Sequence, residues 1–235
     1  MSEPVTGVPD IRSTSKEETR SAISGRTGAG GPDDELETLS RRFASHVPGL
    51  LGAQREYAVL CPLVERPDGL SLLFEVRAAG IRQGGEVCFP GGMREAGETP
   101  VQCALRETEE ELSISPGEVS VIGTPDFLYN QRGFLVRPIL GLVSAAGFSA
   151  LHPAPAEVAD AFTAPLSFFR ETEPEVYVYD LTPQPPEGFP WDRVGVRSDY
   201  PWAAGRTEVP VWYWKNRAIW GMTARLVRGL VQAME

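Results

Sequence analysis

Two stretches of this sequence decide the fold: residues 91–98 read GGMREAGE, and residues 106–112 read RETEEEL. Between them, Thr99 is suited to cap the start of a helix and Pro100 to occupy its first position. Gln102 lies three residues after Thr99 and can complete a capping box. The sequence therefore predicts a glycine loop that leads directly into a short helix.

The predicted helix carries three carboxylates, Glu107, Glu110 and Glu111, at the i, i+3 and i+4 positions of one face. Like charges at this spacing cost roughly 0.2–0.5 kcal/mol each. A hard divalent cation would neutralise them, and Mg²⁺ and Mn²⁺ prefer oxygen ligands. The alternative is a solvated acidic face, but the neighbouring glycine loop favours a metal site. Because glycine lets the backbone approach an ion closely, the carbonyl of Gly91 or Gly92 is a further candidate ligand.

The spacing from Gly92 to Ile114 resembles the Nudix box, G-x5-E-x7-R-E-U-x-E-E-x-G-U. Thr108 replaces the usual aliphatic residue and Ser113 replaces the glycine before Ile114, while every catalytic carboxylate of the motif is present. The resemblance implies an α/β (α+β) Nudix fold, in which a mixed β-sheet is sandwiched between α-helices. It also implies a hydrolase of phosphoanhydride bonds that needs a divalent cation. Periodicity alone supports only an α+β or α/β class.

The resemblance also implies roles for individual residues. The implied catalytic residues are Glu98, Arg106, Glu107 and Glu110, and the metal ligands are Glu107, Glu110 and Glu111 with Gly91 or Gly92. Cations held there would neutralise the phosphates and acidify an attacking water. Glu107 serves as base or as ligand, and the sequence does not separate the two roles. Arg106 is expected to orient the carboxylates through an ion pair with Glu98.

A second signature precedes the box, in Leu73–Ala78, Arg82 and residues 85–92. It resembles the motif of coenzyme A diphosphatases, L-L-T-x-R-S/A followed by an Arg, a Gly and F-P-G-G. Phe74 and Glu75 stand where the motif usually has Leu and Thr. The spacing from Arg82 to Gly85 is one residue shorter than in the motif. The resemblance implies coenzyme A or an acyl derivative as substrate, cut to 3′,5′-ADP and 4′-phosphopantetheine.

Four residues are candidates for substrate binding. Arg77 and Arg82 precede the glycine loop, and the planar arginine fork suits phosphate; ordinary strand-end charges are the alternative. Arg132 lies in a predicted loop, 126–133, that could cover the site or be an ordinary hairpin loop. Glu157 occupies the place where relatives of the resembling family supply a carboxylate, although a solvated loop glutamate is equally consistent.

Composition bounds the remaining possibilities. The chain has 235 residues, 42% of them hydrophobic, which suffices for one domain at 33–235 with an N-terminal and a C-terminal helix. We expect residues 1–32, which are rich in small and polar side chains, to be disordered.

The net charge of −10 argues against nucleic-acid or anionic-membrane partners, and no apolar stretch could span a bilayer. Three cysteines, Cys61, Cys88 and Cys103, look like buried free thiols of a reducing compartment such as the cytoplasm.

Apolar runs predict further elements. Strands are expected at 57–64, 70–77, 86–89, 119–122, 134–143 and 175–181, a hairpin at 209–214 and 218–220, and helices at 34–47, 166–171 and near the C-terminus.

Several functions remain open at this point. Rival substrates are ADP-ribose, NADH, dinucleoside polyphosphates and oxidised nucleotides. A non-catalytic nucleotide-binding module of the same fold is a further alternative. The sequence also leaves the oligomeric state open, and a homodimer is one alternative to a monomer.

Overall fold

The computed structural model describes residues 32–46, 49–52 and 55–234. The chain divides into two compact units, Met1–Leu51 and Gly52–Glu235. In the first unit, helix α1 spans Pro32–Phe43. The helix expected at 34–47 is thus too long, because residues 44–46 are not helical, while Val47 lies outside the described residues. The disorder expected of residues 1–31 also falls outside the described residues, and residue 32, also expected to be disordered, begins α1. The proposed domain boundaries stay a prediction.

The second unit is built on a mixed eight-stranded sheet. Its strands are β1 (Arg55–Arg66), β2 (Gly69–Arg77), β3 (Val87–Cys88), β4 (Gly91–Met93), β5 (Val119–Gly123), β6 (Leu128–Asn130), β7 (Phe134–Val143) and β8 (Val158–Pro165). The order is β3-β2-β1-β7-β5, with β4 paired to β1, β6 to β7 and β8 to β2. Only the β1–β7 pair is parallel among these, and it runs from Arg55 opposite Phe134 to Val64 opposite Val143.

Helices and a second sheet cover the large sheet. The helices are α2 (Pro100–Leu112), α3 (Ala145–Ser149), α4 (Leu166–Glu171), α5 (Trp191–Val194) and α6 (Gly221–Gln232), with a 3₁₀ turn at Pro116–Glu118. The second sheet is antiparallel and contains β9 (Glu175–Leu181), β10 (Gly205–Trp214) and β11 (Arg217–Trp220) in the order β11-β10-β9.

The core lies in two clusters because successive strand residues point to opposite sides of a sheet. In β2, Leu73 packs with residues of α2, whereas Leu72 and Phe74 pack with residues of α4, α6 and the second sheet. The predicted mixed sheet between helices is therefore confirmed.

Helix α2 begins as its sequence predicts. The Thr99 hydroxyl accepts from the backbone N–H of Gln102 at 3.2 Å, and the Gln102 side chain accepts from the N–H of Thr99 at 2.9 Å. At the other end, Ser113 takes the left-handed conformation with φ of 59°. Its hydroxyl donates to the carbonyl of His152 at 3.0 Å. This contact stabilises a conformation that glycine would adopt more easily.

Some elements differ from the expectation. The residues of β4 and β6 were expected to be loops, and β3 is shorter than 86–89. Cys61 and Cys103 are buried free thiols as predicted, but Cys88 is only half-buried. Over the described part of the chain, no helix is both long and apolar enough to cross a membrane.

Candidate functional site

Glu111 lies at the contact between α2 and β4. Its side chain is buried, and its Oε2 accepts a 2.8 Å hydrogen bond from the backbone N–H of Gly91. Gly91 has φ of +152°, and a Cβ there would collide with the carbonyl of Ala58 and with Val59 on β1. Glycine is therefore needed at position 91 for β4 to pair with β1 and meet Glu111.

Glu107 lies one helical turn earlier, against the next glycine. A Cβ added at Gly92 would overlap the Glu107 carboxylate. The Glu107 side chain is 16% exposed and accepts from Arg106 Nη1 at 2.8 Å. The two glycines therefore give two carboxylates of α2 close access to the backbone of β4.

Arg106 binds three carboxylates. It pairs with Glu98 at 2.9 Å, with Glu107 at 2.8 Å and with Glu110 at 3.2 Å. The hydrogen bond from Arg106, helped by the backbone N–H of Glu95, lowers the pKa of Glu98 to about 2. The predicted ion pair between Arg106 and Glu98 is present, and it connects the glycine loop to α2.

Glu110 is placed differently from its neighbours. Its side chain is 59% exposed, and it contacts Arg106 from the solvent side. The residues that line the adjacent cavity include Glu107 and Glu111 but not Glu110. The structure thus separates the three glutamates that the helical spacing places together.

Glu75 is a fourth carboxylate, to which the sequence analysis gave no role. It lies in β2, is 1% exposed, and its Oε1 accepts from the Cys88 thiol at 3.1 Å. Burial raises the pKa of Glu75 to about 7. Burial and then the charge of Glu75 raise the pKa of Glu111 to about 8, and burial also raises the pKa of Glu107. The sequence feature that could have identified Glu75 is an acidic residue at an inward-facing position of an apolar strand.

A cavity of about 600 Å³ opens beside Glu107 and Glu111. Its wall includes Glu107, Glu111 and Glu157, together with four arginines. Another part of the wall comes from β10, β11 and α6, including Thr207, Val209 and Met222. Acidic and basic groups thus share one concave space with apolar surface, as binding sites for charged small molecules require.

All four predicted substrate-binding residues line this cavity. Arg77 Nε donates to the carbonyl of Arg82 at 3.2 Å, which links the two candidates. The guanidinium of Arg132 stacks over Phe134 at 5.4 Å, and the carbonyl of Glu157 accepts from the N–H of Ala78. The structure brings these side chains together, while their proposed roles stay predictions.

The loop before β7 is held by Asn130. Its side-chain oxygen accepts from the N–H groups of Arg132 and Phe134. These two hydrogen bonds of the buried Asn130 stabilise the loop, and Asn130 also lines the cavity. Tyr129, in the same loop, is exposed and does not line the cavity with the carboxylates.

The donor set suits a divalent cation, although one oxygen of Glu107 and one of Glu111 already accept hydrogen bonds. Across the described ranges, no three His, Cys, Asp or Glu side chains already meet as a metal-binding group. Arg106 holds Glu107, and the Gly91 N–H holds Glu111. Glu75 Oε2 is buried and has no hydrogen-bond partner among the described residues. Oxygen donors with one free, buried carboxylate oxygen fit a hard cation.

Comparisons with known proteins identify the family and the relatives of this chain. The NUDIX domain family model matches residues 54–178. An uncharacterized Nudix hydrolase NudL of Photorhabdus laumondii is 32% identical over 207 residues, which cover 85% of this chain and 98% of that protein. The peroxisomal coenzyme A diphosphatase NUDT7 of Mus musculus is 36% identical over 53% of this chain and 52% of its own length.

A solved Nudix hydrolase structure also aligns with part of this chain. The Nudix hydrolase RenU of M. smegmatis matches with a TM-score of 0.43 and 22% identity, over 49% of this chain and 73% of that one.

Proposed function

This chain belongs to the NUDIX family, and we propose that it hydrolyses the diphosphate of coenzyme A or an acyl-coenzyme A in a reaction that depends on Mg²⁺ or Mn²⁺. The products would be 3′,5′-ADP and 4′-phosphopantetheine. The resemblance of residues 92–114 to the Nudix box is confirmed by the family match. Relatives of this chain are named Nudix hydrolases, which supports hydrolase activity.

One observation carries the proposal. Buried Glu111 and half-buried Glu107 border the same cavity as Arg77, Arg82 and Arg132. Carboxylates that bind a cation and arginines that bind phosphate oxygens are the two groups that a diphosphate hydrolase needs. In a chain of net charge −10, four arginines at one cavity, these three and Arg225, are a specific local feature.

Glu107 and Glu111 would hold the cation from α2, with a carbonyl of Gly91 or Gly92 as a further ligand. Glu110 would act from the exposed side of the cluster, through Arg106. When bound, a divalent cation neutralises phosphate charge and acidifies water for attack on phosphorus. The family to which this chain belongs generally uses divalent metal ions.

The protein's own side chains would orient the reacting groups and transfer protons. Arg106 holds the Glu107 carboxylate in place through a 2.8 Å contact, and it anchors to Glu98. Glu107 would bind the cation or accept a proton from the attacking water, and its raised pKa suits the second role. Glu157 is the alternative base on the same wall. Arg77, Arg82 and Arg132 would bind the phosphates bidentately.

Coenzyme A as the substrate is supported by the motif at 73–92 and by the mouse relative, which is named a coenzyme A diphosphatase. The free thiols suit a reducing compartment, and we propose a cytoplasmic location. The rival substrates remain ADP-ribose, NADH, dinucleoside polyphosphates and oxidised nucleotides.

A substrate panel tests the proposal. Purified protein is incubated with coenzyme A, acyl-coenzyme A, ADP-ribose, NADH and a dinucleoside polyphosphate, with Mg²⁺ or Mn²⁺, and products are separated by chromatography. We expect 3′,5′-ADP from coenzyme A at a higher kcat/KM than any product of the other substrates. Faster cleavage of a rival would reassign the substrate, and binding without product would favour a non-catalytic module.

A further inference from the structure

The buried carboxylate of Glu75 faces α2 from the central region of the sheet. Side chains alternate along β2, so Glu75 shares a side with Leu73, which packs among the α2 residues. Phe74, between them, packs on the opposite side. Glu75 pairs with Cys88 in β3 and with Ala161 in β8, so strands flank it on both edges.

The hydrogen bonding of Glu75 is incomplete. The Cys88 thiol, a weak donor, contacts Oε1 at 3.1 Å. Oε2 is buried and unpartnered within the described part of the chain. A carboxylate that is 1% exposed needs stronger compensation than one thiol gives.

The charges around Glu75 are mostly of the same sign. Glu111, Glu107 and Glu157 are close enough for their charges to act on Glu75, and Arg77 is the opposing charge that acts on it. The Arg77 Nε is bonded to the carbonyl of Arg82 and not to Glu75. Among the described residues, Glu75 Oε2 thus lies close to other carboxylates without a cationic side chain hydrogen-bonded to it.

We propose that Glu75 is a ligand of the divalent cation and binds it through Oε2 from the sheet, opposite the carboxylates of α2. This assignment rests on the proposed function, because it concerns the cation that Glu107 and Glu111 would hold. It adds a ligand from outside the α2 motif, on a strand whose backbone is fixed by pairing on both sides.

The alternative is that Glu75 carries a proton and takes no part in cation binding. The two interpretations predict different effects of Glu75→Gln on the affinity of the protein for metal. A protonated carboxyl can be replaced by an amide of the same size at little cost to the site. A ligand cannot, because Glu75→Gln removes a negative charge and leaves a weaker oxygen donor.

The test is a titration of the full-length, metal-free protein with Mn²⁺, followed by electron paramagnetic resonance of free Mn²⁺ and by calorimetry. We expect Glu75→Gln to weaken the Mn²⁺ Kd by about tenfold or more. Glu86→Gln removes a charge from the same cavity wall, where the Glu86 side chain accepts a hydrogen bond from Gln83, and should leave the Kd within about twofold. Thermal unfolding without metal checks that each variant folds.

Each outcome decides the assignment. If Glu111→Gln loses Mn²⁺ affinity while Glu75→Gln binds as the parent does, Glu75 is not a ligand and the proposed function stands. If the parent binds no Mn²⁺ and cleaves no diphosphate, both fail. Should Glu75→Gln not fold, Glu75→Asp keeps the charge but withdraws it by one methylene, and an unchanged Kd in that variant would equally overturn the assignment.

Discussion

The backbone N–H of Gly91 donates a 2.8 Å hydrogen bond to Oε2 of Glu111, and this bond joins β4 to α2. It fixes one oxygen of a buried carboxylate before any ligand arrives. An amide oxygen at position 111 could accept the same bond, so the charge can be removed without removing the contact.

Glu111→Gln should lower kcat/KM by about 100-fold or more, because it removes a charge proposed to bind the cation while keeping the bond to Gly91. The control is Glu109→Gln, which removes an exposed charge from the same helix. Steady-state kinetics at saturating Mg²⁺ and a thermal melt of both variants provide the measurement. Equal activity in the two variants would remove Glu111 from the site.

Gly92→Ala should displace Glu107, since the new Cβ would occupy the space of its carboxylate. The far end of a side chain can move, so we expect the fold to persist and kcat to fall by roughly 10–100-fold. Gly117→Ala, where a Cβ meets nothing within 4 Å, is the matched control. Activity is compared with the melting temperature, and a loss of both together would mean that Gly92 acts on folding instead.

Arg106→Lys should release Glu98 or Glu107, because one ammonium cannot reproduce the fork that binds both. The pKa of Glu98 should rise from about 2 toward its ordinary value, as carbon-detected NMR titration would show. We expect kcat to fall by about tenfold with a smaller change in KM. The exposed Arg170→Lys serves as the control, and an unmoved Glu98 pKa would contradict the role of the ion pair.

Arg82→Ala should raise KM for coenzyme A by about tenfold and change kcat by less than about threefold, because a phosphate contact contributes to binding in ground and transition states alike. Arg193→Ala, an exposed arginine outside the cavity, should change neither constant. Initial rates over a range of substrate concentrations separate the two constants. A fall in kcat alone would point to a role in chemistry.

Without metal, stability should fall as pH rises. The folded-state pKa values of Glu75 and Glu111, about 7 and about 8, lie above the ordinary value of 4.5. The folded protein therefore holds protons that the unfolded chain has lost, and this stabilisation is present below pH 4.5 and disappears as pH rises through 7 to 8. We expect a loss of several kcal/mol between pH 5 and 8, at up to about 1.4 kcal/mol per pH unit for each carboxyl.

Chemical denaturation at several pH values measures this slope. Glu75→Gln should flatten it and should be more stable than the parent at pH 8 without metal. Added Mg²⁺ should also flatten it, because ligand binding to the folded state offsets the charge repulsion. A slope of the opposite sign would show that these carboxylates are ionised and well compensated in the folded protein.

Short sequence patterns predicted the helices and strands whose bounds depend on neighbouring residues in the chain. The capping residues Thr99 and Gln102 predicted the start of α2, and apolar runs predicted β7, α4 and β9 with the observed bounds. Strand β4 was missed because Gly-Gly has little strand propensity, and its pairing with β1 joins residues far apart in sequence.

The site was only partly predictable for a similar reason. Helical spacing fixes the angles between Glu107, Glu110 and Glu111, but it does not say which of them faces the sheet. Packing of α2 buries Glu111 and leaves Glu110 in solvent. Glu75 approaches the same place from another element, and only the tertiary fold brings a strand residue to that helix face.

The second sheet and α6 contribute to the cavity from residues beyond 178, where the NUDIX match ends. The carboxylates lie within the matched segment, but Thr207 and Met222 on the cavity wall lie outside it. Part of the cavity wall is thus encoded downstream of the segment that carries the carboxylates. Substitutions at Thr207 or Met222 could therefore reshape the entrance for a bulkier or slimmer molecule without altering the acidic residues.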